Sequence, residues 1–222
     1  MFPYSDDIPR TRFPLVTFLL IVVNVLVFFK FSLRWDYESI VWEYGFIPND
    51  FQFVNFFTSI FLHGGIFHLI FNMWYLWLFG DNLENRLGSG TFLVFYLLGG
   101  AVAFLMHDYT THGMTRNLPC IGASGAISAV MGGYISFFPY ARVKVLIWFF
   151  LNVFTVRISA QIFFIVWFLE QLFSSDIVFR SQGQGDIAYG AHLGGFFFGL
   201  FTSFFLKYYF LPNKDRNRQD YL

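Results

Sequence analysis

Apolar positions along this chain fall into six blocks: Pro14 to Phe31, Phe67 to Phe79, Thr91 to Met106, Ala123 to Phe138, Ile158 to Phe173 and Ala188 to Phe210. None shows the strict alternation of a half-buried strand, so a transmembrane β-barrel is not indicated. Pro139 closes the fourth block and Pro212 the sixth, as expected where a helix must stop. The pattern predicts an all-α polytopic membrane helix bundle with six transmembrane helices. It forms one domain over residues 14–210, flanked by polar segments 1–13 and 211–222. The stretch Val143 to Phe154 is also apolar, and two readings stand beside each other. It extends the fifth helix into one long tilted span, or it lies in the membrane interface. Between the first and second blocks, Ser32 to Leu62 is long and rich in aromatic residues, broken by Gly45, Pro48 and Asn49. A solvated loop would be more polar, so it is expected to lie partly in the outer leaflet and to pack on the bundle.

Composition agrees with this reading: 56% of residues are hydrophobic and 13% charged, more apolar surface than a soluble domain of 222 residues hides. Net charge is zero, so nucleic acid is not an expected partner. Cys120 is the only cysteine, which excludes an internal disulfide. The first block lacks a small-residue cleavage site after it and reads as a retained span. Lysine and arginine fix the orientation. Ten lie on the side of the termini (Arg10, Arg12, Arg86, Arg142, Lys144, Arg157, Lys207, Lys214, Arg216, Arg218) and four on the other (Lys30, Arg34, Arg116, Arg180). The positive-inside rule then puts both termini in the cytoplasm, and a prokaryotic cytoplasmic membrane is the expected location.

Polar residues inside membrane helices are costly, and here they concentrate at three helix starts. His63-Gly64-Gly65-Ile66-Phe67-His68 opens the second helix, with Asn72 one turn after His68 on the same face. Gly122-Ala123-Ser124-Gly125 opens the fourth, and Ala191-His192-Leu193-Gly194-Gly195, with Gly199, opens the sixth. All three helices run in the same direction, so these residues share a depth toward the outer face. Gly195 and Gly199 form a GxxxG pair below His192, and Gly125 and Gly132 form a small-residue stripe beside Ser124, so the two helices can approach closely. That permits a dyad in which neutral His192 takes the Ser124 proton and later returns it to a leaving amine. His68, Asn72 and the free N–H groups of the fourth helix can donate to an oxyanion. The only acid near His192 in sequence is Asp186, in a predicted loop, so a dyad is favoured over a triad. The fourth block is sixteen residues, about 24 Å against a hydrocarbon core of about 30 Å, so Ser124 lies below the outer surface and needs a water-filled cavity.

Each residue also has a plainer reading. Ser124 among glycines suits helix packing, and His192 suits an interhelical hydrogen bond. His68 with Asn72 suits a structural polar pair or a fragment of a metal site without further ligands, and His63 suits orientation of the loop. Glu84 and Arg86 read as loop structure after the second helix, and His107 and His112 as solvated flanks of the second external loop. It is the coincidence of topology, spacing and residue type that favours catalysis.

The same pieces, His63-Gly64-Gly65-x-x-His68-x-x-x-Asn72, Gly122-Ala123-Ser124-Gly125 and Ala191-His192-Leu193-Gly194-Gly195 with Gly199, closely resemble the rhomboid family of intramembrane serine proteases. Glu84 and Arg86 fit the family's loop after its second span. The resemblance covers roughly residues 10 to 210. It implies a Ser124 nucleophile, a His192 general base and oxyanion support from His68 and Asn72. His63, Gly122, Gly125, Gly195 and Gly199 play supporting parts. It further implies cleavage of single-span or multi-span membrane proteins near the outer ends of their transmembrane segments, with neither cofactor nor metal. The fifth span and the overlying external loop are implied as gate and lid. A catalytically inactive membrane-protein binder or chaperone of the same fold is the alternative. Two departures stand out. Some members carry an aromatic residue under the histidine ring where this chain has Ser128, and Arg34-Trp35 reverses a Trp-Arg pair found in some members.

Overall fold

The computed structural model describes residues 2–32, 34–50, 52–149, 152–180 and 188–210. In chain order these form β1 (Phe2–Asp6), α1 (Leu15–Phe31), α2 (Tyr37–Tyr44), α3 (Asn55–Thr58), a 3-10 turn (Ser59–Phe61), α4 (Ile66–Leu87), α5 (Ser89–Thr110), a second 3-10 turn (Gly113–Asn117), α6 (Ser124–Phe137), β2 (Arg142–Phe149), β3 (Asn152–Ser159), α7 (Ala160–Arg180) and α8 (Tyr189–Phe210). Each predicted apolar block lies within, or within a residue or two of, one of the six long helices. Among the described residues, Ser89–Thr110 and Tyr189–Tyr208 are each long and apolar enough to cross a membrane. A third candidate is the pair Asn55–Phe61 and Ile66–Leu87, bent by 100°. The apolar helices Leu15–Phe31 and Ala160–Glu170 are shorter, and α6 has 14 residues.

The architecture is mainly helical but not all-α. The described part of 142–159 does not extend the fifth helix. Its strands pair as an antiparallel hairpin, and β1 pairs antiparallel with β2 to complete a three-stranded sheet of order β1-β2-β3. Val143, Val145, Val153, Val156 and Ile158 supply the β-branched residues that favour a strand. The first polar segment is therefore structural, tied to a hairpin more than a hundred residues away. The tail 211–222 and Asp186 lie outside the described residues.

The helix predicted to end at Phe79 continues to Leu87, so Glu84 and Arg86 are helical rather than loop residues. The physical reason is the work Glu84 does. Its carboxylate is buried (3% exposed) and accepts hydrogen bonds from the backbone N–H of Val16 (2.9 Å), from the N–H and Oγ1 of Thr17 (2.8 Å each) and from Ser89 Oγ (2.6 Å). A carboxylate thus caps the N-terminus of α1, where the helix dipole favours it and Pro14 offers no side-chain cap. The guanidinium of Arg86 lies over the Phe138 ring at 5.2 Å.

The segment between α1 and α4 packs on the bundle as expected. Phe46 and Phe56 are buried, the Phe46 ring stacks on Phe104 of α5 at 5.2 Å, and the Phe46 and Cys120 backbones bond reciprocally. At the centre, α6 is buried along almost its whole length and packs against α8 through glycines. A Cβ placed on Gly199 would overlap the Ala129 carbonyl, and one on Gly132 the Phe196 carbonyl. Only hydrogen at these positions lets the two backbones touch.

Candidate active site

Three chain segments carry the predicted residues, and the structure brings His68 and Ser124 together at Gly122. Ser124 is the first residue of α6 and half-buried. The turn before it depends on Gly122, whose φ of +123° is a conformation that L side chains rarely adopt. The Gly122 N–H donates to the Ser59 carbonyl at 2.9 Å, pinning the start of α6 to the external loop. A Cβ on Gly122 would lie 2.8 Å from both Cε1 and Nε2 of His68, and 3.9 Å from Ser124 Oγ. The imidazole of His68 and the hydroxyl of Ser124 therefore converge on the hollow that this glycine leaves.

On α4, His68 and Asn72 lie one turn apart. Asn72 is buried (7% exposed), and its amide nitrogen has no hydrogen-bond partner among the described residues. A buried amide donor is costly to leave without an acceptor. His63 is fully buried, with its ring edge-to-face against His68 at 5.1 Å. Tyr37 of α2 donates its hydroxyl to the His63 carbonyl at 2.8 Å. His63 thus backs the His68 ring and ties it to the external loop. At the start of α6, the first intrahelical bond recorded at this end runs from the Ile127 N–H to the Ala123 carbonyl, so the N–H groups of Ser124, Gly125 and Ala126 precede the helical ladder.

His192 lies in the first turn of α8 and is half-buried. Directly below it, a Cβ on Gly195 would overlap the Gly125 carbonyl and approach Ser128 Cβ to 3.3 Å. A Cβ on Gly125 would meet Ala103 of α5 and come within 3.9 Å of Ala191. The Ser128 hydroxyl donates to the Ser124 carbonyl of its own helix at 2.8 Å. Two residues that sequence reasoning missed flank the His192 ring. Trp167 of α7 lies 6.1 Å away with its plane tilted by 37°, and Tyr189 lies 6.4 Å away edge-on. Tyr189, three residues before His192 on one helix, was findable from spacing. Trp167 comes from another helix and left no signal in sequence.

His107 departs from its expected place. It is half-buried rather than solvated, and its ring pairs with Thr111 Oγ1 at 3.2 Å. His112 is exposed. Among the described residues no group of three or more His, Cys, Asp or Glu could hold a metal ion.

A model of the rhomboid domain matches residues 50–209 of the chain. The chain is 30% identical over 142 residues to the "Presenilin-associated rhomboid-like protein, mitochondrial" of Mus musculus, covering 64% of this chain and 35% of the relative. The Homo sapiens protein of that name aligns to the same extent. Similarity to "Rhomboid protease GlpG" of Salmonella choleraesuis (strain SC-B67) is 33% over 134 residues, 59% of this chain and 46% of the relative. The chain spans between about a third and a half of the length of these curated relatives.

Proposed function

The chain belongs to the rhomboid family, and on that premise we propose that it is a serine endopeptidase that cuts transmembrane segments of other membrane proteins. The observation that carries the reading is the convergence of Ser124 Oγ and the His68 ring over Gly122, with Asn72 one turn from His68 on α4.

In the proposed cycle, Ser124 Oγ attacks the scissile carbonyl while His192 accepts its proton. The oxyanion takes hydrogen bonds from Asn72 Nδ2, from His68 and from the N–H groups at the start of α6, whose helix dipole also favours negative charge there. His192 returns the proton to the departing amine, and water, activated by the same imidazole, then hydrolyses the acyl ester. Trp167 and Tyr189 hold the imidazole in the absence of an aromatic residue at Ser128.

Both termini in the cytoplasm, with the site open to the opposite side, remain part of this reading and rest on the ten-to-four distribution of basic residues. The relatives named above include mitochondrial proteins and a bacterial one, so family membership does not select a bacterial inner membrane. Substrates are single-span or multi-span membrane proteins reached through the bilayer.

The test is covalent labelling in detergent or vesicles. A fluorophosphonate is expected to label the wild-type chain once, at Ser124, and not the Ser124→Ala variant. Cleavage of a model single-span substrate should fall to background in Ser124→Ala and His192→Ala, both retaining wild-type thermal unfolding. Full cleavage by Ser124→Ala sinks the assignment. A folded wild-type chain that neither labels nor cleaves leaves the non-catalytic binder.

A further inference from the structure

The three-stranded sheet has no part in the proposed chemistry, yet its placement is unusual. Trp74 Nε1 donates to the Pro3 carbonyl at 2.7 Å, the Phe2 and Trp74 rings lie 5.1 Å apart, and Asn82 Nδ2 donates to Asp6 at 2.6 Å. From Asn82 to Trp74 is about 12 Å of helix, and from Asp6 to Phe2 about 13 Å of strand. The two paths match, so β1 stands along α4 rather than across its end. The register then sets the height of the hairpin: Val143 is level with Asp6 and Leu146 with Phe2. The rest of β2 and the start of β3 extend further toward the middle of the bundle. On α4, the polar run Gly80 to Arg86 marks where the apolar part of the helix ends. The base of the hairpin therefore sits at the membrane boundary opposite Ser124, and its far half lies on the membrane side.

Charge and exposure follow the same division. Arg142 and Lys144 share a face of β2, and Arg157 lies directly across from Lys144. Arg142 and Arg157 are exposed, Lys144 is half-buried, and none of the three forms a salt bridge among the described residues. The carboxylate of Asp7 is bound to the backbone N–H of Arg142. Like charges directly opposed in a sheet destabilise it unless an anion lies over them. Beyond them, Val153 (53%), Phe154 (51%) and Val156 (37%) are exposed on a strand whose buried neighbours, Val143 and Val145, face the bundle.

We propose that the β2–β3 hairpin is a bilayer-binding element, its apolar far half seated among acyl chains and Arg142, Lys144 and Arg157 holding anionic phospholipid headgroups at the membrane face opposite Ser124. It rests on the membrane-spanning reading of the helices and is independent of protease activity.

The full chain, with Cys120→Ala and a single cysteine at Phe154→Cys carrying an environment-sensitive fluorophore, is reconstituted in phosphatidylcholine–phosphatidylglycerol vesicles. The control carries the label at Phe201→Cys, a position 61% exposed on α8. Acyl-brominated lipid should quench both labels and aqueous iodide neither. At position 154, brominated phosphatidylglycerol should quench at least about twofold more than brominated phosphatidylcholine at equal mole fraction, since each basic group near the surface favours anionic lipid. Replacing Arg142, Lys144 and Arg157 by Gln should remove that difference while leaving position 201 unchanged. Iodide quenching at 154 with lipid quenching at 201 overturns the hairpin proposal alone. Iodide quenching at both overturns it together with the membrane-spanning reading. Equal quenching by the two lipids overturns the headgroup assignment. Cross-linking of 154 to 154 between copies at high dilution in lipid assigns the face to a second chain and overturns it as well.

Discussion

Helices α4 and α6 each carry polar residues at both ends, and the two ends treat them in opposite ways. At one end lie His68, Asn72 and Ser124. Here the Asn72 amide nitrogen finds no hydrogen-bond partner among the described residues. At the other end, Asp6 accepts from the Tyr134 hydroxyl (2.8 Å) and the Asn82 amide (2.6 Å), Arg10 pairs with buried Asp81 at 2.5 Å, and Glu84 accepts four hydrogen bonds. An aromatic cluster of Phe79, Tyr134 and Phe164, with centroids 5.1 to 6.0 Å apart, seals the space between. Burial is similar at the two ends. What differs is the kind of partner. At the Asp6 and Glu84 end, carboxylates gather several donors and tie β1 and α1 to α4. At the other end the His63 and His68 rings meet beside Ser124 at Gly122, a place where, under the proposed reaction, negative charge would develop.

The comparison breaks most completely if the two ends are uncoupled from α8. A side chain at Gly195 would drive the Gly125 carbonyl away and shift Ser124 relative to His192. Since a displacement of about 1 Å costs about a hundredfold in rate, Gly195→Val is expected to abolish cleavage and to lower the thermal midpoint. A Gly195→Val chain with wild-type turnover would show that the α6–α8 contact does not set the geometry.

The next effect separates one end from the other directly. Under the proposed mechanism Asn72→Ala should lower kcat by about a hundredfold with little change in thermal stability, because its amide nitrogen bonds no other described residue. Asn82→Ala should do the reverse, costing about 1–2 kcal/mol of stability, since it removes a bond to a buried carboxylate, with kcat near wild type. Equal losses of stability in both variants would erase the distinction.

Glu84→Gln is a milder test of the carboxylate end. It keeps the size of the side chain but removes the charge that faces the N-terminus of α1. A loss of about 1–2 kcal/mol in chemical or thermal unfolding is expected, with the active site intact as judged by fluorophosphonate labelling.

The smallest effect is a slope. Burial raises the Asp6 carboxyl from 3.8 to about 6, against the lowering effect of the Tyr134 hydrogen bond, with Asp81 and Asp7 adding repulsion. Between these values the unfolded chain has released a proton that the folded chain keeps. Stability linked to Asp6 is therefore full below pH 4 and declines as pH rises to about 6, by up to about 3 kcal/mol. Asp6→Asn should flatten that segment of a pH series of thermal midpoints. An unchanged slope would mean that Asp6 does not carry it.

Much of this was legible in the chain. Six apolar blocks located six helices, and His68, Asn72, Ser124 and His192 were singled out because polar residues in apolar helices demand a partner. The glycines were legible too: Gly195 and Gly199 lie against α6 backbone as their spacing indicated. The run Val143 to Phe154 was not. Its apolarity fits a helix or a strand, and only pairing with Phe2–Asp6, distant in sequence, selects the strand. Glu84 was misplaced for a related reason, since its role depends on where the start of α1 docks.

The sequence by itself determined the elements that local periodicity and the cost of intramembrane polarity can encode: helix positions, their small-residue faces, and the residues able to form a nucleophile and an oxyanion site. The tertiary structure alone decided which neighbours those residues meet. Trp167 beside His192, the hollow over Gly122 shared by His68 and Ser124, and the sheet standing along α4 all join residues from distant parts of the chain. Such contacts depend on packing between elements, for which no single stretch of sequence carries a period.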